Sequence, residues 1–264
     1  MRPVTDIETP APTPSATPPV ADGYGPRAQA YRAFRPRYPR ALFHYLATVT
    51  HDNRSAWDVG AGNGQAAVGI AERWARVLAT DPSEGMIAMG VAHPRVRYAV
   101  ATYDSGLPDH SVSLVTVAQA LHWMDATALM REVRRVLVPG GIFAAWCYSR
   151  CRLSDPLDAV VDQFHRVTVG SYWPPERRMV DDGYRAIALP LDEHVPPPFD
   201  MVEDWTYETF RQYVRTWSGL VRYVEARGEE AVLTFEQELL EGWGKPTVRR
   251  QVRWPLSFRI GEVR

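Results

Sequence analysis

Two carboxylates and three glycines stand at spacings that could do chemistry. Asp58 comes two residues before Gly60, and Gly60, Gly62 and Gly64 alternate with Ala61 and Asn63. Asp81 follows about 20 residues after the first of these glycines. Glycine accepts a tight bend and lets backbone N–H groups approach a ligand with no Cβ in the way. A carboxylate after the next strand can accept hydrogen bonds from ribose hydroxyls. The pattern predicts a nucleoside site.

These residues need a strand–turn–helix–strand unit to hold them. Ala56–Val59 predicts a short buried strand, and Ala67, Ile70, Ala71 and Trp74 recur at the spacing of one buried helix face. Val77 to Asp81 supplies the second strand. A dinucleotide fingerprint, G-x-G-x-x-G, would place glycine at position 65, where Gln65 stands. The runs Asp-Val-Gly-Ala-Gly-Asn-Gly (58–64) and Thr-Asp-Pro-Ser (80–83) instead resemble motifs one and two of class I S-adenosylmethionine-dependent methyltransferases.

That resemblance implies S-adenosylmethionine as cofactor, its amino-acid end at Asp58, Gly60 and Gly62 and its ribose at Asp81. It implies Met86 against adenine. Family members often carry an acid after the third strand for the adenine amino group; Tyr103 holds that slot here and Asp104 follows it, so the contact stays open between them. Tyr31, Arg35 and Tyr38 match an N-terminal segment that closes over cofactor or substrate, or else simply packs on the core. Arg-Pro-x-Tyr-Pro (35–39), Ala-Leu-His-Trp (120–123) and Arg-Thr-Trp-Ser (215–218) are similar to the trans-aconitate methyltransferase-like branch.

Further strands are predicted at Val96–Val100, Val112–Ala118 and Ile142–Tyr148, with helices at 41–50 and around Leu129, Val133, Val136 and Leu137. This alternation predicts an α/β fold with an open, doubly wound, mostly parallel sheet. The resemblance makes it seven-stranded and Rossmann-like, with a helical lid. Ligands bind outside the carboxyl ends of such strands, which places Gln119, His122 and Trp123 at the site. Residues 1–21, rich in proline, are expected to be a disordered tail, and 22–264 one methyltransferase domain. Its lid is assigned to 151–200, with a helix at Asp155–Val169, and to helices within 205–245 at Tyr207–Trp217 and Ala231–Trp243.

The 45% hydrophobic content supports one sizeable core, and a net charge of −1 without a basic run argues against a nucleic-acid groove or an anionic membrane surface. Cys147 and Cys151 are too few for a disulfide framework or a zinc site, so no metal is expected. A cytoplasmic protein is the default, and a homodimer is allowed for.

His122 can orient an acceptor or take its proton, or it braces Trp123. Trp123, Trp146, Tyr148, Trp173, Tyr213 and Trp217 are candidates to line an aromatic acceptor cavity. Among Arg177, Arg178, Arg211, Arg215 and Arg222, Arg215 is the preferred clamp for a substrate carboxylate. The expected activity is methyl transfer to a small molecule, with a carboxylate oxygen preferred. N-, S- or hydroxyl-methylation, or cofactor binding without transfer, are the alternatives.

Overall fold

The apolar runs of the first half pair as parallel strands because each is buried on both faces. The structure is a computed structural model and describes residues 34–264. Helix α1 (Arg40–Val49) leads into β1 (Ser55–Val59), then α2 (Gln65–Ala71), β2 (Arg76–Asp81), α3 (Glu84–Ala88), β3 (Val96–Val100), β4 (Val112–Ala118), α4 (Ala126–Val136) and β5 (Leu137–Tyr148). Along β5, Phe143, Ala145 and Cys147 join one apolar cluster while Ile142, Ala144 and Trp146 join another. The first lies under α4 and the second under α1 and α2, so the sheet is covered on both sides.

The strand order is β3-β2-β1-β4-β5-β8-β6, with β7 paired to β8 off this path. The chain reverses direction across the sheet between β1 and β4, which pair in parallel. A crevice therefore opens at their carboxyl ends, where ligands bind in this topology. Seven strands form the expected path, and β7 makes an eighth.

Beyond β5 come α5 (Asp155–Gln163), a π-helical turn (Phe164–Thr168), α6 (Arg177–Asp181), β6 (Leu191–Glu193), β7 (Asp200–Trp205), α7 (Tyr207–Arg215), α8 (Ser218–Arg227), α9 (Glu230–Trp243) and β8 (Arg250–Val263). Strand β8 serves three partners, the third being β6, antiparallel along Leu191–Glu193. Its second half runs antiparallel to β5, and its first half runs antiparallel to β7. Pro255, which has no N–H to donate, lies where the strand passes from β7 to β5.

Sequence reasoning missed α6, α8 and β6. They are short or weakly patterned; only Gly219 and Leu220 of α8 are buried. The expected helix 155–169 breaks at Gln163 into the π turn. The 151–200 segment divides between two cores. Leu157, Val161, Phe164 and Val169 enter a third cluster with the later helices, whereas Val180, Tyr184 and Leu191 pack on the sheet. No helix of the described residues is long and apolar enough to cross a membrane.

Candidate active site

Gly60, Gly62 and Gly64 all take positive φ, at 65°, 57° and 85°. A side chain there is strained whatever the space around it. At Gly60 a Cβ would lie 2.6 Å from the Met124 Cε and 2.8 Å from the Ala120 Cβ, and at Gly62 it would lie 3.1 Å from the Met86 Cε. Two methionine side chains thus bound the turn, of which Met124 carried no sequence signal. Asp81 Oδ2 accepts from the Gly62 N–H at 2.9 Å and its Oδ1 from the Ser83 N–H at 2.9 Å. One carboxylate therefore fixes the turn to the acidic loop while its remaining lone pairs stay available.

Asp58 has a different place. It is fully buried under the turn, where Oδ1 accepts from the Thr116 hydroxyl at 2.6 Å. The Ala67 amide faces the carboxylate as well, but Oδ2 has no well-formed partner among the described residues. Burial pushes the carboxyl up to about 7. As placed, Asp58 supports the turn from below and reaches a ligand only through it.

Gln65 departs from the dinucleotide pattern for a visible reason. Its Nε2 donates to the Pro36 carbonyl at 2.8 Å and ties the N-terminal segment across the first turn of α2. Arg35, one residue earlier, donates from Nη1 to the Tyr148 hydroxyl at 3.1 Å and lies 5.6 Å from the Tyr213 ring centroid. Tyr38, half-buried, packs edge-to-face with Trp146, with ring centroids 5.5 Å apart. Trp146 itself is fully buried. Tyr31 lies outside the described residues.

At the end of β4 the backbone is strained. Gln119 takes φ 55°, costly for a residue with a side chain. Its amide holds the Tyr148 backbone at both groups, Oε1 accepting from the N–H at 2.8 Å and Nε2 donating to the carbonyl at 3.1 Å. The strain aims the next turn, Leu121–Trp123, at the crevice. There the His122 Nδ1 is 3.0 Å from the Tyr184 hydroxyl. Tyr184 is fully buried and also takes positive φ, 64°, so a second strained residue fixes the histidine. Burial first, and the nearby Arg177 cation second, lower His122 to about 4. Trp123 is 47% exposed beside it.

Beyond the cofactor end, Tyr103 accepts the Asp125 N–H at 2.7 Å and braces the start of α4, while Asp104 is exposed and accepts from the Gly106 N–H at 3.3 Å. Three of the candidate acceptor residues form a run of rings. Tyr213, Trp217 and Trp173 follow one another at centroid separations of 5.9 and 5.8 Å. Arg177 lies 4.7 Å from the Trp173 ring centroid, and its Nη2 donates to the Ser149 hydroxyl at 3.2 Å just past β5.

A family profile described as a methyltransferase domain matches residues 57–145. A solved structure titled as a type II methyltransferase, from Anaeromyxobacter dehalogenans, is 42% identical with a TM-score of 0.84, over 87% of this chain and 98% of that one. A Dictyostelium discoideum protein named as a methyltransferase is 29% identical over 90% of this chain and 91% of its own length. A Saccharomyces cerevisiae protein named as an S-adenosylmethionine-dependent methyltransferase is 28% identical over 45% of this chain and 44% of its own length. The chain belongs to the class I S-adenosylmethionine-dependent methyltransferases.

The methyltransferase's own residues fit that cofactor: a turn with three glycines at positive φ, a carboxylate tied to it and two methionine side chains bordering it. Its acceptor side departs from sequence expectation at Arg215. That guanidinium donates from Nε to Glu236 at 2.6 Å and lies 3.3 Å from Glu229, so two helix carboxylates hold it. Arg177, which donates to Ser149, is likewise paired, its Nε donating to Asp181 Oδ1 at 3.1 Å. Tyr184, Met124 and Gln65 are the site-region residues that sequence reasoning passed over, and the strained Gln119–His122 corner explains why Tyr184 is needed.

Proposed function

We propose that this enzyme methylates an oxygen of a small carboxylic acid. His122 carries the reading. A histidine lowered to about 4 and paired with the Tyr184 hydroxyl is neutral at physiological pH and a weak base, suited to an acceptor with no proton to remove. When bound, S-adenosylmethionine supplies an electrophilic methyl group on a sulfonium. A carboxylate meeting that cation cancels charge, which a dry, aromatic-lined site favours. We assign the acid to Arg177, which is carried on α6 and stacked on Trp173; its Nε is engaged by Asp181, so the acid would meet its terminal nitrogens, one of which donates to Ser149.

For the cofactor we assign Gly60, Gly62 and Asp81 as direct contacts, with Met86 and Met124 covering the turn. Arg35 and Gln119 position Tyr148 at its edge. Asp58 supports the turn. Tyr103 keeps the adenine side closed through Asp125. Turnover to S-adenosylhomocysteine with a panel of small acids, phenols and amines is the test. Methyl esters as the products support the reading; turnover confined to phenols or amines overturns it.

A further inference from the structure

One polar side chain of the lid is used by nothing described so far. His165 is 6% exposed, and neither of its ring nitrogens has a hydrogen-bond partner among the described residues. Native proteins leave few buried polar groups in that state, and each one costs the bonds it made to water. It sits on the π-helical turn Phe164–Thr168, a distortion found often at functional sites.

Its surroundings point to the acceptor region. The imidazole lies between two indoles, 4.7 Å from the Trp173 centroid and 5.2 Å from that of Trp217. The Trp173 indole N–H donates to the carbonyl of His165 itself at 3.0 Å, which locks the indole to the same turn. The Arg177 guanidinium packs on the Trp173 ring and donates to Ser149. His165 therefore stands one indole ring away from the proposed carboxylate holder. The charges that face it, Arg177 and Arg150 against Asp181 and Asp162, oppose one another, and burial keeps the ring neutral. A neutral imidazole offers one N–H and one lone pair. A hydroxyl group, itself donor and acceptor, satisfies either nitrogen in either tautomer, whereas a carboxylate can meet only the nitrogen that carries the proton.

We propose that His165 recognises a second oxygen on the methyl acceptor, a hydroxyl set apart from the acid group on a flat apolar body gripped by Trp173 and Trp217. The proposal takes the acid head from the reading above but not the hydroxyl.

The test is calorimetric titration of the full chain, saturated with S-adenosylhomocysteine, with phenylacetate and with 3- and 4-hydroxyphenylacetate. Phenethylamine and tyramine form a matched amine pair. At least one hydroxy acid should bind about tenfold more tightly than phenylacetate, the equivalent of one neutral hydrogen bond. His165→Phe keeps the ring packing and should erase that gain while leaving phenylacetate and S-adenosylhomocysteine affinities unchanged. His165→Leu repeats the comparison should the phenylalanine variant not fold. Hydroxy compounds that bind wild type no better than their parents, or a gain that survives both substitutions, overturn the proposal. A gain seen only in the amine pair and lost on substitution keeps His165 in its role and removes the carboxylate reading.

Discussion

A carboxyl group raised by burial to about 7 ties Asp58 to pH in a defined direction. Its folded value lies above the unfolded one, so its contribution to stability is complete below pH 4 and is lost as pH rises through 7. Asp58→Asn keeps an acceptor for the Thr116 hydroxyl and removes the charge. Its melting temperature relative to wild type should rise between about pH 4 and 7 and level off above that in scanning calorimetry; a difference independent of pH across that window would mean the Asp58 carboxyl is not raised in the folded state. His122 runs the other way. Its folded value near 4 lies below the ordinary histidine value, so it costs stability only as pH falls below 6.5. The pH profile of kcat/KM should accordingly show no inflection near 6.5, and His122→Gln should lower kcat less than tenfold. A bell-shaped profile lost in that variant would make His122 a base.

At the scale of elements, the glycine turn depends on one contact outside itself. Asp81→Ala removes the acceptor for the Gly62 N–H as well as the proposed ribose contact, and should weaken cofactor binding by about 1.5–3 kcal/mol in calorimetry. Asp81→Asn keeps one acceptor and should lose less; equal losses would show that the turn does not need this tie. Helix α8 is placed by Gly219, where a Cβ would come within 2.7 Å of the Trp173 ring. Gly219→Ala should displace that indole, raise the acceptor KM several-fold and leave cofactor affinity unchanged. An unchanged KM would remove Trp173 from the acceptor site.

The same scale explains what sequence could show. Glycine at positive φ has no substitute, and a strand buried on both faces reads as a continuous apolar run, so the cofactor half and the parallel sheet were legible. Arg215 was not, because its partner Glu236 lies 21 residues away and only tertiary packing brings α7 against α9. Tyr184 was not, because it stands in a segment without periodicity and acts through one long-range hydroxyl contact, 62 residues from His122. Gln65 was visible only as a departure from another family's pattern; its partner Pro36 was not visible at all.

Across the molecule there are three apolar clusters among the described residues: two flank the sheet and the third holds Tyr148, Tyr213, Trp217 and residues of the helices after β5, the proposed lid. Addition of S-adenosylhomocysteine with a bound acid should slow hydrogen exchange most in the third cluster, around residues 157–173 and 213–224, and least in β1, β4 and β5. Uniform protection would indicate a preformed site without a lid.

The three partnerships of β8 also bear on how the chain is made. Residues 250–263 leave the ribosome after β5, β6 and β7, every strand they join. Until then β5 offers an open edge bordered by Phe143, Trp146 and Tyr148, the kind of edge that invites pairing with other chains. The pairing is also far apart in sequence, which makes it slow to form. During synthesis, then, the nucleotide-binding half waits as an adhesive intermediate, and closure of the sheet and completion of the lid core arrive together as one late event.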